Sequence, residues 1–207
     1  MDYVRPIEAV VPGVQGRVLG ALARSEAEMT IRTAARLAGV SAQQATVVVN
    51  RLVGLGLVTR REAGSAALVA LDRTNEAAGA IVALAALPRS TMQRLAELAQ
   101  SISPAPVSLV VFGSFARGEA DADSDVDALA VRAADVAVDD EAWIDALGGW
   151  ERSARRITGN PVELLVVGVD ELPALLSAGD EGSLWRSIKT EGVTLAGIPL
   201  ADLVAAA

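Results

Sequence analysis

The chain of 207 residues contains no cysteine and no histidine, and Lys189 is its single lysine. The first two absences exclude disulfides, Cys or His zinc sites, Ser-His-Asp and Cys-His nucleophiles, and a histidine pH switch. Any catalysis must therefore use carboxylates, hydroxyls, arginines, that one lysine, backbone amides or a bound metal ion. Mg²⁺, which prefers oxygen ligands, fits this set of side chains.

Aromatic residues and long apolar runs are also scarce. Only six residues are aromatic whereas 40 are alanine, so the cores must depend on close packing of small side chains. The longest weakly polar run, residues 77–87, is far shorter than the ~20 residues that a membrane span needs. The first residues lack a basic region followed by an apolar one, which argues against a signal peptide. We therefore expect a soluble, cytoplasmic protein without membrane contact.

The net charge of −8 is distributed unevenly. Residues 1–75 carry nine arginines and six acids, a formal charge of +3, whereas residues 76–207 carry −11. Such an asymmetry is typical of a chain with two different functions. Chance, together with a solvated acidic face, is the alternative explanation.

The N-terminal part has the pattern of a helix-turn-helix followed by a two-stranded ribbon. Residues 31–61 read IRTAARLAGVSAQQATVVVNRLVGLGLVTRR. Thr30 and Ser41 stand where helix N-caps are expected, and Gln44 would complete a capping box with Ser41. Two strands are predicted to follow, one from Val58 and one over 66–71, joined by a polar turn over 60–65.

About residues 14–72 resemble bacterial winged helix-turn-helix regulators. In these domains the second helix of the motif enters the major groove and the wing contacts the DNA backbone or minor groove. The resemblance implies that one set of residues contacts base edges or phosphates: Ser41, Gln43, Gln44, Thr46 and Asn50. It implies that a second set contacts phosphates: Arg51, Arg60 and Arg61. It also implies a homodimer. A winged helix used only for protein contacts is the alternative.

Two helices are predicted between the ribbon and the C-terminal part. Asn75 can cap a helix over residues 76–87, and a second one starts near Pro88 and ends at a Ser-Pro-Ala-Pro run, residues 103–106. We interpret residues 76–103 as a helical linker. It joins a domain over residues 1–75 to a domain over residues 104–200.

The most informative segment begins at Pro106 and reads PVSLVVFGSFARGEADADSDVDALAVR. Gly113 and Ser114 end an apolar strand and precede a helical turn, where backbone amides and a hydroxyl can hold a phosphate. Asp125 and Asp127 open the next strand and project from the same side, roughly 6–7 Å apart at Cα. Two carboxylates this close repel each other, and a bound Mg²⁺ would neutralise them.

Gly-Ser, ten residues and Asp-x-Asp form a pattern similar to that of the minimal nucleotidyltransferases in the DNA polymerase beta-like superfamily. This resemblance covers about residues 105–197 and implies Mg²⁺ together with ATP or another NTP. It implies that Asp125 and Asp127 hold the metal and that Gly113, Ser114 and Arg117 bind the nucleotide.

Glu163 is the candidate for the third acid of this pattern. It is the only charge in a predicted strand starting at Val162, and it would complete the metal site or accept the proton of the attacking hydroxyl. The superfamily more often has Asp at this place. The alternative is a solvent-exposed Glu at the start of a strand.

The sequence thus predicts an α+β protein: a winged helix-turn-helix, a helical linker, and an α/β nucleotidyltransferase domain with a small mixed sheet flanked by helices. The predicted function is Mg²⁺-dependent transfer of NMP from an NTP to an acceptor hydroxyl, coupled to DNA binding. One alternative is a transcriptional regulator whose nucleotidyltransferase-like domain senses nucleotide without turnover. Another, implied by the resemblance, is an antitoxin that modifies or binds a partner toxin.

Overall fold

The computed structural model describes residues 1–64, 66–178 and 183–205, and the chain divides into two compact units. One unit comprises Asp2 and Val4–Leu87, and the other Met1, Tyr3 and Pro88–Ala207. The division falls within the segment interpreted as a linker. Both units combine helices with a small sheet, which confirms the predicted α+β class. In the described ranges no helix has both the length and the apolar character needed to cross a bilayer.

The first unit has a winged-helix arrangement with a three-stranded antiparallel sheet in the order β1-β3-β2. Its elements are α1 (Pro6–Val10), α2 (Val14–Ala23), β1 (Met29–Thr30), α3 (Ile31–Leu37), α4 (Ala42–Gly54), β2 (Val58–Ala63), β3 (Ala66–Leu71) and α5 (Glu76–Ala85).

Both predicted caps of the helix-turn-helix are confirmed. The Thr30 hydroxyl accepts a hydrogen bond from the Thr33 amide at 3.1 Å, which starts α3. At α4 the Ser41 hydroxyl accepts from the Gln44 amide at 3.1 Å, and the Gln44 side chain accepts from the Ser41 amide at 3.0 Å. These bonds satisfy amides that a helix leaves without an internal partner and fix the start of the predicted recognition helix.

Two local features of the ribbon differ from the prediction. The sequence did not predict β1, which has only two residues and exists through its pairing with Val69 and Leu68 of β3. The predicted polar turn over 60–65 was wrong in its start, because residues 60–63 belong to β2. This strand is at the edge of the sheet, where polar side chains reach solvent without interrupting the backbone ladder. Ser65 lies outside the described residues.

The second unit is built around a four-stranded mixed sheet in the order β6-β5-β4-β7, with β5 and β6 parallel and the other pairs antiparallel. Its elements are α6 (Leu87–Ala99), β4 (Ser108–Phe112), α7 (Gly113–Arg117), β5 (Val126–Arg132), α8 (Glu141–Thr158), β6 (Val162–Gly168), α9 (Leu172–Ala178), α10 (Ser183–Glu191), β7 (Val193–Gly197) and α11 (Leu200–Ala205).

Buried apolar side chains of α8 support this unit. The sequence predicts a helix over residues 137–157 with Trp143, Leu147, Trp150, Ala154 and Ile157 on its core-facing side; the first four are buried and Ile157 is half-buried. The helix was predicted from residue 137, yet it begins at Glu141. The reason is the Asp140 side chain, which accepts a hydrogen bond from the Trp143 amide at 2.8 Å and caps the first turn.

Candidate functional site

Three strand positions of the second unit lie side by side at one end of the sheet. In the strand register, Phe112 is the partner of Asp127 across β4 and β5, and Asp127 is the partner of Glu163 across β5 and β6. Neighbouring strands are about 4.8 Å apart. The fold therefore places Glu163 beside Asp127, although the two are separated by the whole of α8 in the chain.

The Asp127 carboxylate lies directly against the backbone of Gly113. A Cβ atom on Gly113 would be 2.4 Å from Asp127 Oδ2, and the φ angle of +68° at this glycine is one that other residues rarely adopt. Glycine is thus required here for two independent reasons. The close approach brings the carboxylate to the point where β4 ends and α7 begins.

Burial and neighbouring negative charge both act on Asp127. Partial burial raises the pKa of the Asp127 carboxyl, the charges of Glu163 and Asp125 raise it further, and the nearby Arg117 guanidinium opposes them. A carboxylate that is partly desolvated among like charges favours a proton or a cation. The three predicted acidic residues therefore interact electrostatically in the folded chain.

The carboxylates provide hard oxygen donors of the kind that Mg²⁺ prefers. Asp125 and Asp127 are half-buried, with the buried Val126 between them, whereas Glu163 is exposed. No group of three or more Asp or Glu side chains in the described part of the chain is arranged closely enough to hold a metal ion. The Asp pair, in which the carboxyl pKa of Asp127 is raised, fits a divalent cation, and Glu163 lies beside it on the neighbouring strand.

Arg117, the predicted nucleotide-binding arginine, is held by two carboxylates. Its Nε donates to Glu119 at 2.7 Å, and its Nη1 donates to Glu191 of α10 at 2.5 Å. The Ser187 hydroxyl donates to the same Glu191 oxygen at 2.7 Å, and this bond together with Arg117 lowers the pKa of Glu191. Sequence reasoning missed Glu191, because nothing in its helical context marks a partner 74 residues away.

Asn160 is a second residue that the sequence did not reveal. Its side chain is fully buried, and its Nδ2 donates to the carbonyls of Asp121 at 2.9 Å and Ser124 at 2.7 Å. These carbonyls belong to the loop that leads to Asp125. The loop is closed further by bonds between the Asp121 carboxylate and the Ser124 hydroxyl, 2.8 Å, which lower the pKa of Asp121. Asn160 therefore positions the acidic loop through these two hydrogen bonds. The only sign of this residue in the sequence was a polar turn before β6.

The first unit presents its candidate residues on the exposed side of α4. Gln43, Asn50 and Arg51 are exposed, and so is Val47, whose side chain is 65% accessible. Val47 was not among the predicted contacts, which are all polar or charged. Its position four residues after Gln43 places both on one face of the helix.

The other predicted contacts on α4 already have local hydrogen bonds. Ser41 and Gln44 form the capping box, so the Ser41 hydroxyl oxygen and the Gln44 carbonyl oxygen are engaged at the helix start. The half-buried Thr46 donates to the Ala42 carbonyl at 2.8 Å. The remaining donors of Ser41 and Gln44 face the start of the helix, where base edges are contacted in winged helices.

The wing arginines are ion-paired. Arg60 donates to Asn50 of α4 at 2.9 Å and to Glu62 at 3.0 Å, which ties β2 to the exposed face of the helix. Arg61 donates to Glu28 at 2.5 Å, and this bond lowers the pKa of the Glu28 carboxyl. All these pairs are solvent-exposed. A phosphate would therefore compete with Glu28 and Glu62 for the guanidinium groups.

No curated protein matches the chain. A solved structure described as the crystal structure of a toxin-antitoxin with AMP-PNP is 18% identical, with a TM-score of 0.37, and the match covers 56% of this chain and 82% of the other. A likeness of that size supports no inference about fold or function.

Two family models match separate parts of the chain. The MarR family matches residues 11–67, and the nucleotidyltransferase domain matches residues 92–166. The first range covers the helix-turn-helix and most of the ribbon, and the second includes Gly113, Asp127 and Glu163. The chain therefore joins a winged helix of the MarR family to a nucleotidyltransferase domain.

Proposed function

We propose that the second unit is a Mg²⁺-dependent nucleotidyltransferase that transfers NMP from an NTP, ATP first among them, to an acceptor hydroxyl. The observation that carries the proposal is the position of the Asp127 carboxylate. It is packed against Gly113, half-buried, and exposed to the charges of Asp125 and Glu163 within a matched nucleotidyltransferase domain. A site that concentrates uncompensated negative charge is suited to a metal-bound triphosphate.

In this proposal each residue of the site has a defined part. Asp125 and Asp127 hold the metal, and bound Mg²⁺ would neutralise triphosphate charge and lower the pKa of the acceptor hydroxyl. Gly113 and Ser114, at the start of α7, bind the phosphates. Arg117 assists them after exchanging the carboxylate of Glu191 for a phosphate oxygen.

Glu163 accepts the proton in the proposed reaction. The acceptor oxygen forms a bond to the α-phosphorus, the bond from that phosphorus to the bridging oxygen breaks, and pyrophosphate leaves. The exposed carboxylate of Glu163 next to Asp127 can take the proton that the acceptor loses. Alternatively it completes the ligand set of the metal.

The test is label transfer from ATP labelled in its α-phosphate, with Mg²⁺ present. The purified chain alone and the chain with a clarified cell extract as acceptor source are compared, and released pyrophosphate is measured in parallel. The Asp125→Ala/Asp127→Ala variant should lose transfer by at least about 100-fold. Asp123→Asn, an exposed acid of the same loop, is the matched control and should retain it. Undiminished transfer by the double variant would contradict the proposed mechanism.

A nucleotide sensor without turnover is the second candidate function. It is favoured by the exposure of Glu163 and by the lack of a three-carboxylate group among the described residues. In that case Mg·ATP should raise the thermal stability of the wild type and change its DNA affinity without any release of pyrophosphate. Release of pyrophosphate that depends on Asp127 would exclude the sensor.

We infer that the first unit binds duplex DNA through α4 and β2. The inference is supported by the MarR family match and by the coincidence of Gln43, Val47, Asn50 and Arg51 on one exposed face. Val47 can contact a thymine methyl group, and Gln43 can read a base edge. Arg60 and Arg61 would contact phosphates.

A gel-shift series on genomic fragments of the source organism, at low salt, tests this inference. The wild type should retard at least one fragment, and Arg60→Ala/Arg61→Ala should weaken binding to all fragments and flatten its salt dependence. Arg89→Ala, in α6 outside the winged-helix unit, is the control. Failure of the wild type to retard any fragment would refute DNA binding.

A further inference from the structure

The winged-helix unit contains a basic cavity formed by residues that the proposed function does not use. The cavity has a volume of about 530 Å³ and is lined by Arg5, Arg17, Arg24 and Arg36, with Glu8 as the one carboxylate and an apolar floor at residues 37–38. Positive charges exceed negative ones by three. None of these residues belongs to α4 or to the wing.

Two of the four arginines are held in place by Glu8. Its carboxylate lies 3.3 Å from Arg17 Nε and 3.9 Å from Arg5 Nη1. The contact depends on Gly16, where a Cβ atom would be 1.8 Å from the Val11 carbonyl oxygen, so that α1 can lie directly against α2. The fold therefore brings Glu8 to these guanidinium groups by a specific close approach.

The other two arginines have no counter-charge in the part of the chain that the structure describes. Among the described residues, no side-chain hydrogen bond or ion pair involves the guanidinium group of Arg24 or Arg36. The Arg24 guanidinium lies over Gly20, where a Cβ atom would be 3.6 Å from Nη2. Arg24 is the C-cap of α2, and Arg36 lies in the last turn of α3. Because the C-terminus of a helix favours a positive charge, each arginine taken alone is explained by its position. That preference does not account for both facing one cavity together with two further arginines.

We propose that this basic cavity binds a small polyphosphate anion of the pyrophosphate type. Guanidinium groups recognise phosphate oxygens through paired hydrogen bonds, and two phosphate groups match an excess of three positive charges. A concave site containing a carboxylate suits a compact anion better than the extended backbone of duplex DNA. The inference goes beyond the proposed function and requires neither turnover nor a DNA operator.

Calorimetry of the full chain with inorganic pyrophosphate, in EDTA at 0.15 M salt, tests the proposal. EDTA removes the divalent cation on which the site in the second unit is proposed to depend. The wild type should bind one pyrophosphate per chain, more tightly than orthophosphate. Arg24→Gln/Arg36→Gln should weaken the affinity by about 100-fold, because two guanidinium groups are removed and each lost charged hydrogen bond costs about tenfold.

Matched variants keep this test interpretable. Arg32→Gln, an exposed arginine of α3 outside the cavity, should bind within about twofold of the wild type. Arg24→Lys/Arg36→Lys keeps both charges and loses the paired geometry, so an affinity between those of the wild type and the Gln variant is expected. This second variant provides the answer if the Gln variant does not fold.

Three results would overturn the proposal. The first is an absence of pyrophosphate binding by the wild type. The second is a pyrophosphate affinity that is unchanged in both the Gln and the Lys variants, which would place the anion at another site on the chain. The third is weaker binding of a labelled 30-base-pair duplex by the Gln variant with unchanged pyrophosphate affinity, which would assign Arg24 and Arg36 to the DNA backbone.

Discussion

The two units differ in whether their charged side chains have partners of opposite charge. In the winged-helix unit the exposed arginines of the wing have carboxylate partners, as in the pairs Arg60–Glu62 and Arg61–Glu28. In the nucleotidyltransferase unit the like charges of Glu163 on β6 and Asp125 in the preceding loop act on the carboxylate of Asp127, and Arg117 opposes them. The wing arginines are thus neutralised within the chain, whereas the carboxylates around Asp127 repel one another, an electrostatic cost that a bound cation would remove.

This difference shows which charged residues indicate a ligand-binding site. An exposed ion pair is worth little to stability and exchanges readily, so its arginine is available to a phosphate only in competition with its partner. A half-buried carboxylate among like charges destabilises the free protein, and its presence therefore indicates a ligand-binding site. Four substitutions test this comparison, and they are given in order of decreasing expected effect.

Asp127→Asn should raise the stability of the free protein and abolish its response to nucleotide. Mg·ATP at 100 times its Kd should stabilise the wild type by about 2.7 kcal/mol, or about 5–10 °C in Tm, and should leave the variant unchanged. In EDTA at pH 7 the variant should unfold at a higher temperature than the wild type, since it lacks the repelled carboxylate. A lower Tm in EDTA would contradict the electrostatic account.

The stability difference should also depend on pH. Because the folded-state pKa of Asp127 lies above its ordinary value of 3.8, the wild type is relatively stabilised below that value and loses this contribution as the pH rises through the folded-state pKa. The advantage of Asp127→Asn over the wild type should therefore be small at low pH and grow towards neutrality. Thermal melts in EDTA across the acid range measure it.

Gly113→Ala should destabilise the second unit and displace the Asp127 carboxylate. The added Cβ atom meets Asp127 Oδ2 at 2.4 Å at a φ of +68°, so a cost of about 1–3 kcal/mol and loss of the Mg·ATP response are expected. Gly118→Ala is the matched control, since Gly118 has a φ of +71° and nothing within 4 Å of the Cβ position. The control should show the backbone cost alone. An equal loss of nucleotide response in both variants would show that the contact with Asp127 is unimportant.

Asn160→Asp should weaken the nucleotide site through the acidic loop. The substitution keeps the shape of the side chain and removes the amide that donates to Asp121 and Ser124, at a cost of about 1–3 kcal/mol. We expect weaker Mg·ATP binding by about tenfold, with any kcat less affected than KM, because Asn160 positions the loop and touches no reactant. Trp150→Phe, which removes a buried hydrogen bond to the Leu95 carbonyl in the same unit and does not contact the acidic loop, controls for stability alone. Identical nucleotide titrations for the two variants would refute the positioning role.

Glu28→Gln should have the smallest effect and the opposite sign on binding. Removing the carboxylate that accepts from Arg61 leaves Tm unchanged within about 1 °C, because the pair is solvent-exposed. It should also strengthen DNA binding by about two- to threefold at low salt, since Arg61 no longer has a competing partner. Fluorescence anisotropy with one duplex at several salt concentrations checks this. If the affinity falls, Glu28 orients Arg61 for DNA and does not compete for it.

The sequence was sufficient for elements that depend on local signals. The caps at Thr30 and Ser41, the apolar face of α8 and the Gly113–Ser114 end of β4 all follow from residue type and spacing within a few positions. The general architecture was predictable for the same reason. The strand order was not, because no local pattern specifies which edges pair.

The residues that the sequence missed are those defined by distant contacts. Asn160 and Glu191 matter through bonds to residues 36–39 and 74 positions away. Val47 was left out of the predicted DNA contacts, which are all polar or charged, yet its side chain on α4 is exposed. The start of the polar turn at residue 60 was wrong because an edge strand tolerates exposed polar side chains.

The connection between β5 and β6 has a consequence for the order in which the site forms. Gly113 begins α7, and the two aspartates lie just before and within the start of β5, which pairs antiparallel with β4, whereas Asn160 and Glu163 follow the 18-residue helix α8. Antiparallel pairing across the shorter connection between β4 and β5 forms sooner than the parallel crossover from β5 to β6. In the proposed mechanism, a folding chain would therefore bring its two cation ligands together before it gains its proton acceptor. An opening confined to α8 and β6, detectable by native-state hydrogen exchange, would release the acidic loop from Asn160 and remove Glu163 from the site, so it should weaken cation binding and prevent the transfer.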